Sequence, residues 1–324
     1  MFIIMSELTR AIQETAQKLL QNKEVELVVG FAEGSLPLRN TPCFVRQPEE
    51  AQRLVWGYGC ENNLANYLRQ RPEKVAVVAK GCDSRSIVEL IKENQIDRNK
   101  LVVIGVPCRG MIDRKKVTRL LAGKELLEAE IRDGQVVLKG KEFSESVPLE
   151  QLLHDTCLTC QHPNPVLFDI MMGEPVPVKE ADSFVDVANF EVKAPAEKRA
   201  YLIQELSRCI RCYACRQACP MCFCEECFVD CSMPQWLSKS SLNVQDNVFF
   251  QAVRALHLAG RCVDCGACDR ACPMGIDLRT LTRKMVKDVQ ELFGYTAGVS
   301  LDQKPPLAAP INTTSPATFN QDGR

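Results

Sequence analysis

Two cysteine runs of identical spacing constrain this chain more than anything else in it. Cys209-x2-Cys212-x2-Cys215-x3-Cys219-Pro220 is repeated as Cys262-x2-Cys265-x2-Cys268-x3-Cys272-Pro273. Three thiolates with two residues between neighbours wrap one 4Fe–4S cluster in a tight loop, and the fourth sulfur lies beyond that loop, where it reaches the other run's cluster. The spacing assigns Cys209, Cys212, Cys215 and Cys272 to one cluster, and Cys262, Cys265, Cys268 and Cys219 to a second. Proline after each fourth cysteine fixes φ and withholds an N–H donor near the sulfurs. A pair of structural zinc sites is the competing reading, and two matched copies in one chain speak against it.

The chain holds 18 cysteines in 324 residues. Such a number suits a disulfide framework only in a small secreted protein. The opening MFIIM is five apolar residues followed by polar SELTR, too short for a secretory h-region. No apolar run approaches the roughly 18–20 residues of a membrane helix. The expectation is a cytoplasmic chain whose reduced thiols are committed to metal, with a low-oxygen, anaerobic setting in keeping with them. Lys and Arg number 40 against 41 Asp and Glu. That balance gives no basic surface for nucleic acid or for a membrane.

Six cysteines are scattered before residue 161 and twelve fall between Cys209 and Cys272, which predicts two modules. KVAVVAK (residues 74–80) and LVVIGVP (101–107) are continuous valine-rich runs of the kind that form buried parallel strands. SRSIVELIKEN between them has helical spacing, making a β-α-β unit. VELVVGF (25–31) predicts another strand, and EAEIRDGQVVLKG (128–140) a hairpin turning at Asp133-Gly134. The fold class expected is an α/β N-terminal domain, with parallel strands, crossover helices and a hairpin, followed by a mainly helical two-cluster domain. The boundaries are 1–178 for the α/β domain, 179–198 for a linker, 199–295 for the cluster domain and 296–324 for a disordered Pro/Ala/Thr/Asn-rich tail. Helices are predicted over 246–260 and over 277–294, the second capped by Asp277 and closed by Gly294. Trp56 and Trp236 read as packing residues.

Cys82 stands two residues after one predicted strand and Cys108 follows the next, so both fall on the carboxyl edge of the sheet, where α/β proteins bind ligands. Cys157-x2-Cys160 can add two thiolates from a loop. These four suit a third 4Fe–4S cluster, and single buried thiols are the alternative. KGCDSRSI (80–87), IGVPCRGM (104–111) and CLTCQHPNPVLFDIMMGE (157–174) resemble the coenzyme F420 hydrogenase/dehydrogenase beta-subunit family. In that family a Lys-x-Cys-Asp turn, a cysteine after a strand, and Cys-x2-Cys followed by Asp-Ile and Gly recur in this order. Cys82, Asp83, Cys108, Cys157, Cys160, Asp169 and Gly173 sit on those positions, and the likeness spans roughly residues 50–178. It implies an iron–sulfur site, a flavin such as FAD beside it, and electron exchange between a hydrogenase or formate dehydrogenase and a two-electron carrier. No G-x-G-x-x-G accompanies it. Lys80, Asp83 and Arg109 are the candidate cofactor-binding residues: Lys80 and Arg109 could meet an anionic cofactor at the sheet edge, with solvated surface cations the competing reading. The long spacer between Cys219 and Cys262 makes residues 200–294 similar to α-helical dicluster ferredoxins, such as the one in heterodisulfide reductase.

CPMCFCEECFVDC, residues 219–231, leaves four cysteines outside these sets. If the chain turns helical after Pro220, Cys224, Cys227 and Cys231 share one helix face, with Cys222 at its entry. A fourth iron–sulfur cluster, a zinc ion and simple packing are the readings open to them. Cys43 and Cys60 read as core thiols, and His154, His162 and His257 as structural.

The expected function is an iron–sulfur electron-transfer subunit of a multisubunit anaerobic oxidoreductase of hydrogenase, formate dehydrogenase or heterodisulfide reductase type. It relays electrons through two clusters, with a third in the α/β domain. A flavin-containing catalytic subunit that oxidises NAD(P)H or reduced F420 is the first alternative. A structural zinc or iron scaffold is the second. The partners implied are other subunits of such a complex.

Overall fold

A computed structural model describes residues 5–178 and 184–306. In chain order the N-terminal unit runs α1 (Met5–Gln21), β1 (Leu27–Glu33), β2 (Asn40–Val45), β3 (Val75–Ala79), α2 (Gly81–Lys92), β4 (Leu101–Gly105), α3 (Arg114–Leu121), β5 (Glu128–Arg132), β6 (Gln135–Lys139), β7 (Ser144–Pro148), α4 (Leu149–Leu152), α5 (Asp155–Leu158) and β8 (Ile170–Met171). Five strands form a sheet in the order β2-β1-β3-β4-β8. All its pairings are parallel except β1–β2, whose antiparallel β2 closes one edge. Every residue of β3 is buried, which explains why that strand reads as an unbroken apolar run. β5, β6 and β7 make a separate antiparallel sheet. The β5–β6 hairpin turns on Asp133 and Gly134, both at positive φ, as a two-residue type I′ turn requires.

The C-terminal unit is helical: α6 (Val185–Glu191), α7 (Pro195–Ser207), α8 (Ala214–Gln217), α9 (Val244–His257), α10 (Ala267–Ala271) and α11 (Arg279–Phe293). α9 buries Asn247, Phe250, Gln251 and Arg254 along one stripe. α11 ends at Gly294, φ +59°, the left-handed position that favours glycine.

The structure differs from the sequence expectation in four places. Of the expected linker, residues 179–183 lie outside the described residues, while α6 and the start of α7 occupy the rest. Pro195 starts α7, and Glu197 accepts the Ala194 N–H at 2.9 Å, which together nucleate a helix there. The expected tail begins with a packed residue, as Ala297 is buried, and 307–324 lie outside the described residues. Residues 220–243 form no helix. They carry Pro220, Pro234 and a polar Ser/Asn stretch without apolar period, and the helical period starts only where Asn243 caps α9 through the Asp246 N–H at 2.8 Å. Trp56 is buried, but Trp236 is 52% exposed.

The two units are packed against each other. Buried Arg85 of α2 donates to the Ala297 carbonyl at 3.0 and 2.7 Å and to the Val263 carbonyl at 3.0 Å. Glu89 accepts from the Tyr295 hydroxyl at 2.7 Å and the Gly298 N–H at 2.5 Å. Arg261 pairs with Glu93 at 2.5 Å.

Candidate metal centres

The two repeated runs fold alike. Arg211 and Tyr213 in the first loop have positive φ, as do Asp264 and Gly266 at the matching positions of the second. Alternating right- and left-handed residues turn successive N–H groups into one concavity, a nest suited to an anionic cluster. Each loop then enters a short helix, α8 or α10.

Cys209, Cys212 and Cys215 line one tight pocket together with Cys272 from the far run. The Ile276 N–H points at the Cys272 sulfur at 3.4 Å and Gln251 at the Cys215 sulfur at 3.8 Å. Cys262, Cys265 and Cys268 line a second pocket with Cys219. Each pocket thus gathers three thiols of one run and the last of the other, the set a crossed pair of cubane clusters needs. Among the described residues, no three His, Cys, Asp or Glu side chains converge on a point where a single metal ion could sit.

The third set also comes together. Cys82 lies in the first turn of α2, Cys108 follows β4, and Cys157 and Cys160 sit on and just after α5. All four line one cavity of about 1090 Å³, which Lys80, Arg109 and Glu61 also border. The N–H groups of Gly110 and Met111 point at the sulfurs of Cys108 and Cys157, each at 3.4 Å. Burial pushes the Cys108 thiol, aided by the Cys157 charge, and the Cys268 thiol up to about 12. Such thiols give up their protons when metal binds, so four-thiol sets of this kind fit iron–sulfur clusters.

Two arginines stand between the three sets. Arg254 of α9 is 4% exposed, donates to the Cys215 carbonyl at 3.2 Å, and has Cys268, Cys219 and Cys222 as neighbours. Burial alone would lower its pKa, but those sulfurs raise it. Arg270 donates to the Cys265 carbonyl at 2.7 Å and the Glu61 carbonyl at 2.8 Å. It has Cys157 and Cys82 beside it. Sequence reasoning missed both. The signal for Arg254 was present: Asn247, Gln251 and Arg254 are polar residues on the apolar stripe of α9.

Of the proposed cofactor residues, Lys80 is buried, pairs with Asp83 at 2.9 Å, and donates to the Asn62 carbonyl at 2.6 Å. Asp83, fully buried, also accepts the N–H groups of Lys80 and Leu64. Its carboxylate is consumed inside the protein, so it fixes Lys80 at the cavity wall rather than meeting a ligand. Asp169 accepts the Val103 N–H at 2.7 Å and an Arg98 nitrogen at 2.5 Å, tying β8 to β4, and Gly173 has φ +71°. Cys43 and Cys60 are buried in the sheet core. His154 bridges Glu61 at 3.0 Å and Asp113 at 3.6 Å.

The extra cysteines lie on an irregular loop, not on the helix face expected for them. Cys222 faces Cys219. Cys222, Cys224 and Cys227 line a separate pocket of about 360 Å³. Cys231 stands beside Cys227, its thiol directed at the Cys227 carbonyl at 3.6 Å.

An α/β unit with a thiol-lined sheet edge, joined to a helical two-cluster domain, defines an iron–sulfur electron-transfer protein. Residues 72–224 match the family described as the C terminus of the coenzyme F420 hydrogenase/dehydrogenase beta subunit, and residues 208–277 match a 4Fe-4S dicluster domain. It is similar to the F420-dependent formate dehydrogenase subunit beta of Methanocaldococcus jannaschii, 24% identical over 92% of this chain and 93% of that one. It is similar also to the F420-dependent formate dehydrogenase 1 subunit beta of Methanococcus maripaludis, 26% identical over 91% and 92%. A chain of the F420-reducing [NiFe] hydrogenase complex from Methanosarcina barkeri aligns with a TM-score of 0.40 at 16% identity, covering 62% of this chain and 89% of that chain. Among the described residues, no helix is long and apolar enough to cross a membrane.

Proposed function

We propose that the chain is the electron-relaying beta-type subunit of a multisubunit F420-dependent oxidoreductase. Cys209, Cys212, Cys215 and Cys272 would hold one 4Fe–4S cluster, Cys262, Cys265, Cys268 and Cys219 a second, and Cys82, Cys108, Cys157 and Cys160 a third. Such clusters supply one-electron steps. The observation that carries this reading is continuity. The third thiol set adjoins the second, Cys82 standing near Cys265, and Arg254 touches members of the second and first sets. The protein's part is to bury the thiols, aim N–H groups at them and place guanidinium charges where negative charge accumulates. The relatives' names supply the partners proposed here: a formate dehydrogenase-type catalytic subunit on one side and F420 on the other, in the cytoplasm.

One observation favours a second element, a flavin at the third site. The cavity of about 1090 Å³ is slightly larger than the roughly 300–1,000 Å³ typical of cofactor pockets, and Lys80 and Arg109 border it. A deazaflavin carries hydride and a cluster carries single electrons, so a flavin between them would convert one currency to the other.

The test is iron, acid-labile sulfide and flavin per chain on protein purified without oxygen, in the wild type and in Cys265→Ser. The expected result is at least about twelve irons, with the variant losing one ferredoxin cluster while the α/β unit stays folded. A Cys265→Ser protein with undiminished iron would refute the assignment. Stoichiometric flavin would establish the second element.

A further inference from the structure

Cys222, Cys224, Cys227 and Cys231 take no part in the three sets, yet their surroundings are those of a ligand site. Cys222, Cys224 and Cys227 line one pocket of about 360 Å³. Each has a guanidinium beside it: Arg254 at Cys222, Arg69 at Cys224 and Arg216 at Cys227. Arg261 completes the cationic wall.

Two of these arginines have carboxylate partners. Arg216 pairs with Asp230 at 2.6 Å and Arg261 with Glu93 at 2.5 Å. Arg69 and Arg254 instead donate to backbone carbonyls, those of Phe223 at 3.2 Å and Cys215 at 3.2 Å. Among the described residues, each leaves a buried Nε without a partner. A buried cation far from negative charge is costly. Arg254, more than nine-tenths buried, stands between Cys268 and Cys219 of the second set and Cys222 of this pocket. An anionic occupant with thiolate ligands would put negative charge beside Arg69 and on the pocket side of Arg254.

We infer that Cys222, Cys224, Cys227 and Cys231 bind a fourth 4Fe–4S cluster, next to the cluster that Cys219 helps to hold. The inference extends the proposed relay and rests on Cys219 serving the second cluster. Size separates a cluster from a zinc ion. An ion needs about the space of one water, roughly 30 Å³, a small part of this pocket, and no three side chains among the described residues converge on a single-ion position. Cys231 stands outside the pocket wall, four residues after Cys227 and beside it, and is the thiol that completes the count of four. Cys222 faces the Cys219 sulfur, which puts the fourth site in line with the second and carries the row of thiols to the surface, where Cys224 is exposed.

The experiment uses the full chain purified anaerobically. Wild type is expected to hold about sixteen irons, and the C224S/C227S double variant about twelve, with the signals of the other clusters retained in electron paramagnetic resonance. Iodoacetamide labelling of the native wild type, mapped by mass spectrometry, is expected to leave Cys224 and Cys227 unmodified until the iron is chelated. This second measurement decides the matter should the variant not fold. Equal iron in wild type and variant, one zinc in place of the missing iron, or rapid labelling of Cys224 in fully metallated protein would each overturn the inference. Loss of iron in Cys265→Ser tests the relay separately, so the two readings can fail independently.

Discussion

Gly81→Ala should empty the third site and spare the ferredoxin-type ones. Gly81 opens α2 directly beneath the loop that carries Cys160. A methyl at its Cβ position would lie 1.8 Å from the His162 carbonyl oxygen and 3.0 Å from the Asn164 carbonyl oxygen. Both obstacles are backbone, so no side chain can rotate away. The loop would have to retreat by roughly 1.6 Å or more to recover ordinary contact. It is pinned against that retreat: Pro163 accepts the Cys108 N–H at 2.8 Å, the Asn164 side chain exchanges two hydrogen bonds with Val176, and Val166 donates to Ser84 at 2.9 Å. Overpacking of this kind costs about 1–3 kcal/mol, which a folded domain can survive. Metal sites are less forgiving, tolerating about 0.2 Å in ligand distance. Cys160, two residues before His162, would leave its position. The assay is iron and sulfide per chain with the circular dichroism spectrum. Gly81→Ala is expected to lose about four irons while keeping its helical signal. Gly57→Ala is the control on the same cavity wall, because its methyl would meet nothing nearer than an Asn40 nitrogen at 3.9 Å. A Gly81→Ala protein with wild-type iron would refute the argument that this close approach holds the third site together.

Asp83→Asn strands the Lys80 ammonium in a buried position where the pair is 3% and 0% exposed. Removing one partner of such a pair costs about 3–5 kcal/mol, so hydrogen-exchange protection of α2 should fall by about two to four orders of magnitude, and a change below tenfold would contradict it. Acid should loosen the contact that His154 makes with Asp113. Burial would raise the Asp113 carboxyl, but the His154 hydrogen bond and charge, with the Lys115 and Lys116 N–H groups, outweigh it and bring the group down to about 2. A carboxyl depressed in the folded state stabilises above its unfolded value of about 3.9, and that contribution fades as pH falls through the folded value. Asp113→Asn should therefore abolish the part of the acid destabilisation that falls between about pH 4 and about pH 2; superimposable acid curves for variant and wild type would refute this.

How much of the fold is legible in the sequence depends on how local each feature is. The valine runs gave β3 and β4, and the Asp133-Gly134 pair gave the hairpin, because period and turn chemistry act over a few residues. β2 and β7 escaped: β2 has a proline and mixed polarity, and its place at the sheet edge follows from what it pairs with. The helix expected at residues 221–231 failed for the converse reason. Cysteines at helical spacing imitate an apolar face, and that spacing says nothing of the two prolines and the aperiodic polar residues that keep residues 220–243 out of a helix.

The same division runs through the sites. The two repeated cysteine runs by themselves indicated which thiols stand together, since three thiols two residues apart share one loop and the fourth cysteine of the run lies beyond it. Their left-handed residues at matching positions are the local backbone consequence. What only the tertiary structure decided is everything drawn from distant segments: that Cys82, Cys108, Cys157 and Cys160 border one cavity, that Arg254 and Arg270 stand between thiol sets, and that Lys80 is held by Asp83 at the cavity wall. Charge and burial act through space, so a guanidinium forty residues from a thiol in sequence is invisible until packing sets them side by side.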